Sequence, residues 1–231
     1  MTTESERLVN SIKERRARVR RELGPAATDF YHALLRAFPD FGGPPDAAWM
    51  EREAAARGLS TEATLAALSA ADVIQRDPAT GVITVAYPFS GVPTPHIVTI
   101  AGGRPVHAMC AIDALGIPFM LGRDATVVSS DPTTGEEVRV TLRGGVAQWE
   151  PPGVVVLYGK NGEDGPTSAQ LCPTINFFAS SASAEAYQQA HRHLVDVHLL
   201  DQAAAVRSGI RSFGNLLVAD ETVECDEECC C

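Results

Sequence analysis

At 231 residues, 45% hydrophobic and 21% charged, the chain has the make-up of an ordinary globular protein with material for a real core, in one domain or two. No apolar run approaches the roughly 20 residues that span a bilayer, and the polar start MTTESERLVNSIKERRARVRREL lacks the apolar stretch of a secretory signal, so a cytoplasmic protein away from membranes is expected. The net charge is −10, but Asp220, Glu221, Glu224, Asp226, Glu227 and Glu228 crowd the C-terminus and leave the remainder near −4, which gives no electrostatic ground for nucleic-acid binding.

In chain order, Leu8, Ile12, Val19 and Leu23 recur at helical spacing over residues 4–22. The other face carries Arg7, Lys13, Arg15, Arg16, Arg18, Arg20 and Arg21, balanced by Glu6, Glu14 and Glu22, and reads as a solvated face rather than an anion-binding one. A second helix over 26–38 should end at Pro39 and the turn-rich FGGPPD. Two short helices follow: about 46–57, stopped by Gly58, and one capped by Ser60 that runs to about Leu68, with a further short element near Ala70. Residues 73–76 and 82–85 flank Asp77-Pro78-Ala79-Thr80-Gly81 as a β-hairpin. Helices followed by a hairpin predict a winged-helix-like module. Its second helix, STEATLAALSA, carries no Lys or Arg to meet phosphate, so DNA is not the expected partner.

TPHIVTIAGGRPVHAMC predicts two strands joined at Gly102-Gly103. A short helix over 111–120, bounded by Pro118, comes next. Strands at 125–129, 137–142, 146–149 and 154–157 follow, with turns at DPTTG, Gly144-Gly145 and Pro151-Pro152-Gly153. Residues 159–167 read as a polar loop, 184–193 as a helix capped by Ser183, 201–209 as another helix, and 213–218 as a final apolar segment. The fold class is α+β, with small, mostly antiparallel sheets and flanking helices.

Cysteine usage is the unusual feature. Cys110 and Cys172 are internal and far apart, while Cys225, Cys229, Cys230 and Cys231 end the chain. In a reducing compartment such thiols point to metal binding or catalysis before disulfides. No CxxC pair supports a zinc ribbon or a thioredoxin-type site. Cys110 ends a predicted strand, and Asp113 lies one helical turn on, so thiol and carboxyl would share a face. A helix N-terminus favours the thiolate, and a carboxyl can accept and return a proton. Spacing alone leaves the plainer readings open, a small buried hydrophobe and a charge complementing the helix dipole. Cys172, in QLCPTINFF, stands where a polar loop enters an apolar segment, again as either a site residue or a core cysteine. The histidines form no metal site: His191 and His193 fall on opposite sides of the predicted helix, and His107 points away from Cys110 along its strand.

VHAMCAIDALGIPFMLG, DPTTGEEVRV, WEPPGVVV, LCPTINFFASSASAEAYQQAH and FGNLL together resemble the organomercurial lyase (alkylmercury lyase) family, over about residues 107–217. The N-terminal helices and hairpin agree with that family's winged-helix-like first part. The family pattern is a cysteine, an aspartate three residues later and a distant second cysteine before a Phe-Phe segment. Cys110, Asp113 and Cys172 occupy those positions. The resemblance implies a winged-helix-like module over 1–90, a catalytic domain over 91–218 and an acidic cysteine-rich tail over 219–231, expected to be flexible.

It also implies protonolysis of R–Hg–X to the hydrocarbon RH and Hg(II), with Cys110 and Cys172 holding mercury and Asp113 shuttling the proton. No cofactor is expected, since the metal is in the substrate. Low-molecular-weight thiols, and a mercuric reductase, are the partners expected to take the Hg(II). The tail departs from the family pattern, and Cys225, Cys229, Cys230 and Cys231 are candidates for relaying the metal. The competing reading is a non-enzymatic soft-metal (Hg/Cu) binder or sensor, which has little use for Asp113. A cysteine hydrolase lacks a histidine base in a recognisable context.

Overall fold

The computed structural model describes residues 4–161 and 171–217, with side chains from residue 23 onward. The tail, with its four cysteines, lies outside the described residues, as do the side chains of the basic face. The chain combines helices with antiparallel sheets, as its pattern predicts. None of the described helices is long and apolar enough to cross a membrane.

The first helix, α1 (Glu4–Phe41), is broken at Gly24, whose φ of 75° and ψ of 176° no helix interior adopts. This is the expected join between two helical arms, and Pro25 opens the second arm, where its missing N–H costs nothing. Pro39 was expected to stop the helix but lies within its last turn. The stop falls at Gly42 instead, where φ reaches 75° and the N–H groups of Gly42 and Gly43 both donate to the Phe38 carbonyl. Phe30, Leu34, Leu35 and Phe38 form a fully buried stripe at helical spacing, and the Phe38 ring stacks on Phe89 at 4.6 Å. The short helices α2 (Ala47–Ala55) and α3 (Thr61–Ala70) are capped by Asp46 and Ser60, whose side chains accept from Trp49 N–H and Ala63 N–H. The element expected near Ala70 is simply the end of α3.

Strands β1 (Ile74–Arg76), β2 (Ile83–Ala86), β3 (Phe89–Ser90), β4 (Ile97–Ile100), β5 (Pro105–Ala108), β6 (Ala125–Ser130), β7 (Glu137–Arg143) and β8 (Val146–Glu150) form one antiparallel sheet in the order β1-β2-β3-β5-β4-β6-β7-β8. The predicted β1–β2 hairpin is therefore continuous, through the unforeseen two-residue β3, with the strands that lead into the site. A second antiparallel sheet has the order β10-β9-β11, from β9 (Val155–Asn161), β10 (Asn176–Phe178) and β11 (Leu194–Leu200).

β11 was not foreseen: residues 194–200 had no assignment between the helices expected at 184–193 and 201–209. The first of these helices, α5 (Ser181–Ala190), begins three residues earlier than expected, with Ser180 as its cap. Ser183 closes the reciprocal capping box. Asp131, in the turn after β6, accepts from Thr133, Thr134 and Ala179 N–H and so ties the β6–β7 turn to the start of α5.

Helix α4 (Ala111–Leu121) is apolar almost all round and buried along nearly its whole length, which makes it the central helix. Pro118, expected to bound it, is accommodated inside its last turn, and the end falls at Gly122 in the left-handed region. α4 packs closely on α6 (Gln202–Phe213), backbone to backbone at Gly209 and with the Phe213 side chain against Gly116. A Cβ on Gly209 would lie 2.9 Å from the Gly116 amide nitrogen and 3.1 Å from the Ile112 carbonyl oxygen. One on Gly116 would lie 2.6 Å from a Phe213 ring carbon and 2.9 Å from the Gly209 oxygen. These are largely backbone atoms, which cannot step aside as a flexible side chain does. Gly209→Ala is expected to cost about 1–3 kcal/mol by forcing the helices apart, measured by denaturant unfolding; an unchanged unfolding midpoint would show that the crossing tolerates a methyl group.

Candidate active site

Cys110 sits at the junction of β5 and α4. The strand delivers it in extended conformation (φ −158°, ψ 177°), and it becomes the N-cap of α4. An oxygen side chain usually caps a helix; here the Cys110 sulfur takes that place, accepting from Asp113 N–H at 3.4 Å. Two backbone bonds fix the approach: Ala108 N–H donates to the His96 carbonyl and Met109 N–H to the Pro88 carbonyl. The spacing that predicted a shared helix face for Cys110 and Asp113 therefore acts at a helix start, where cap and third residue converge.

Cys172 opens a single 3-10 turn, Cys172–Thr174. The Thr174 hydroxyl stands against the carbonyls of Leu171 and Gly159, and Asn176 Nδ2 donates to the Pro173 carbonyl at 2.9 Å. The turn is tied to α4 directly: Ala111 N–H, one of the free donors at the helix start, donates to the Ile175 carbonyl at 3.0 Å. The Cys172 thiol then comes within 4.0 Å of Asp113 Oδ2.

One ligand atom each from Cys110, Asp113 and Cys172 lies within 4.8 Å of the others, and the three residues are 2%, 5% and 5% exposed. Among the described residues no other group of three His, Cys, Asp or Glu side chains could hold a metal ion. Two soft sulfurs suit a soft metal, and the carboxyl adds a group that can carry a proton.

The electrostatics differ from expectation at one point. The helix start was expected to favour a Cys110 thiolate. Burial instead pushes the thiol well above its ordinary range; the Cys172 side chain and the neighbouring Asp113 carboxyl push the same way, and only the Asp113 N–H opposes them. Desolvation and a nearby negative charge together outweigh one N–H dipole. Without metal, Cys110 is a neutral thiol.

The remaining histidines divide. His107 Nδ1 lies 3.1 Å from Thr94 N and 2.9 Å from Thr94 O, a structural placement, as expected. His191 and His193 are not on opposite sides of a helix. α5 ends at Ala190, and their rings meet edge-on at 5.8 Å. His96, which the sequence reading passed over, is 2% exposed beside the segment that carries Cys172. Its signal was its place in PTPHIVTI, at the head of a strand, where a lone histidine with no motif gives little notice of a partner across the sheet.

The alkylmercury lyase family model matches residues 89–214. Among curated proteins, the chain is similar to the alkylmercury lyase of Staphylococcus epidermidis, with 32% identity over 108 residues, 46% of this chain and 50% of that protein. It is also similar to those of Bacillus cereus (30% over 101 residues, 43% and 46%) and Streptomyces lividans (33% over 102 residues, 43% and 46%). The chain spans about half the length of the curated relatives it matches. The crystal structure of the mercury-bound form of MerB2 superposes with a TM-score of 0.70 over 90% of this chain and 99% of that one, at 21% identity, and so shares the fold.

The raised thiol is open to direct test. In a pH titration followed by ultraviolet thiolate absorbance, the difference between wild type and Cys110→Ser isolates the Cys110 transition. Its midpoint is expected above the ordinary thiol value of 9.0; a midpoint below that value would mean that the helix terminus wins over burial.

Proposed function

The chain belongs to the alkylmercury lyase family, and from that premise we propose that it breaks the carbon–mercury bond of organomercurials by protonolysis. The observation that carries the reading is the closure of two thiols and one carboxyl, 62 residues apart along the chain at the extremes, into a single buried group within 4.8 Å.

R–Hg–X exchanges its ligand X for one protein sulfur, and that thiol's proton leaves with X. The second sulfur then binds the same mercury, and its proton passes to Asp113, whose Oδ2 lies 4.0 Å from the Cys172 sulfur. Metal binding is what drives deprotonation of the Cys110 thiol, which burial keeps neutral. Two thiolates put electron density on mercury and weaken its bond to carbon. As that bond breaks, its electron pair stays with carbon, and Asp113 delivers the proton to give RH. Hg(II) is left on Cys110 and Cys172. Burial excludes bulk water, so the proton comes from a positioned group rather than from solvent. No organic cofactor enters this scheme, because mercury arrives with the substrate and departs as product.

Low-molecular-weight thiols then exchange for the two protein sulfurs, and a mercuric reductase is the natural consumer of the released Hg(II). A reducing cytoplasm supplies those thiols, and we place the protein there. The four thiols of the C-terminal sequence, Cys225, Cys229, Cys230 and Cys231, extend the proposal to an internal relay that accepts Hg(II) from the site.

Cys110→Ala, Cys172→Ala and Asp113→Ala are each expected to lower hydrocarbon release from methylmercury at least about 100-fold by headspace assay; full turnover by any of them would remove that residue from the scheme. Asp113→Asn is expected to bind Hg(II) through both sulfurs yet release little hydrocarbon. If wild type binds phenylmercury tightly in excess thiol and forms no benzene, the soft-metal binder replaces the lyase. Truncation before Asp220 tests the relay: Hg(II) release at low external thiol is expected to slow, and an unchanged rate would dismiss the tail.

A further inference from the structure

The two cysteine-bearing segments come from different sheets, and the residue that touches both is one to which the scheme above gives no part. His96 heads β4 and is 2% exposed. Its backbone carbonyl accepts from Ala108 N–H at 2.9 Å, two residues before Cys110. Its Nδ1 lies 2.9 Å from the hydroxyl of Ser129 on β6, itself buried. The Asn176 side chain lies beside the ring and favours its protonated form against the effect of burial, and Asn176 Nδ2 donates to the carbonyl of Pro173, the neighbour of Cys172. The ring edge packs on Phe177 at 5.7 Å and 66°. A path of contacts thus runs from Ala108, two residues before Cys110, through His96 to Phe177 on β10, the strand that follows the Cys172 turn. The Ala111–Ile175 backbone bond is a second, separate tie.

We propose that His96 is a positioning residue, which holds the Cys172 turn at the distance from Cys110 that lets both sulfurs engage one metal atom. This deepens the lyase reading and rests on it for its kinetic consequence. The imidazole suits the task chemically. Burial pushes its pKa down to about 4, so at neutral pH the ring is uncharged and offers one donor and one acceptor to two polar partners. A charged side chain there would have no counter-ion among those contacts, and an apolar one would leave the Ser129 hydroxyl and the Asn176 amide to reorganise. The cost falls on the second sulfur. The first capture of mercury needs only one thiol in reach, whereas bond cleavage needs both, and groups that orient metal ligands typically lower activity or metal affinity about 10- to 100-fold when removed.

The test compares wild type, His96→Phe and His96→Gln by circular dichroism, thermal melting, phenylmercury turnover to benzene, and partition of Hg(II) between the protein and a small dithiol. His96→Phe is expected to lower kcat per folded molecule about tenfold or more with KM little changed, and to shift the Hg(II) partition toward the dithiol by a similar factor. His96→Gln, which keeps a donor and an acceptor, is expected to recover most of both. A His96→Phe protein that melts lower but keeps the wild-type kcat and partition would reduce His96 to a core residue and overturn the proposal. If His96→Phe does not fold, Asn176→Ala carries the same expectation on kcat and partition, and wild-type values there would equally overturn it. Should wild type release no benzene while the partition still shifts in His96→Phe, the lyase reading fails and the positioning role stands.

Discussion

Asp113 is a carboxyl with 5% of its surface in contact with solvent, on a helix otherwise made of Ala, Ile, Leu, Gly, Pro, Phe and Met. Placing it there is costly, since an acid group removed from water loses hydration that apolar neighbours cannot replace. The surrounding architecture can be understood as what makes that placement workable. Its backbone N–H faces the Cys110 sulfur and its carboxyl faces the Cys172 sulfur. The three groups are mutually dependent: the carboxyl raises the Cys110 thiol's hold on its proton, and a thiol that keeps its proton spares the buried site a further negative charge. A soft cation reverses the balance, because it removes protons from sulfur and supplies the positive charge the site lacks. The resting site sets a protonated Cys110 thiol beside a buried carboxyl.

Convergence of the two cysteines depends on pairings distant in sequence. β5 brings Cys110 in from the large sheet, β10 continues from the Cys172 turn into the small one, and the Ala111–Ile175 bond joins them where the helix start would otherwise have an unfilled donor. A helix N-terminus always has such donors; here one serves the capping sulfur and another anchors the opposite wall. Local geometry and the long-range junction thus come from the same four residues at the head of α4.

Legibility in the sequence followed the range of the interactions. The spacing of Cys110 and Asp113 suggested a shared helix face, because a helix start is a local event, but left plainer readings open until the long flanking words gave a family resemblance. The Ser60 cap, and the β4–β5 hairpin at Gly102-Gly103, were equally local. Cys172 could be nominated but not placed, since nothing in QLCPTINFF says which surface it meets. Proline misled twice: Pro39 and Pro118 both lie inside the last turn of a helix, where the surrounding packing overrides the local penalty and a left-handed glycine sets the true end. β11 was missed because LVDVHLL lacks the clean apolar–polar alternation of a half-buried strand, and no residue in it is fully buried. His96 stayed invisible for a different reason. Its partners, Ser129 and Asn176, stand on two other strands, and a lone histidine carries no spacing to read.

The close crossing of Gly116 and Gly209 also bears on which organic groups the site can accept. At Gly209 the two helices meet backbone to backbone, with the Phe213 side chain against Gly116, which leaves little slack at the contact. Shape adaptation to a bulkier ligand cannot be taken up on that flank. It has to come from the opposite wall, where a single 3-10 turn and its few hydrogen bonds form the softer side. Under the proposed function, selectivity among organomercurials would then be set on the Cys172 side, and sequence changes there would retune it while the helix pair stays constant.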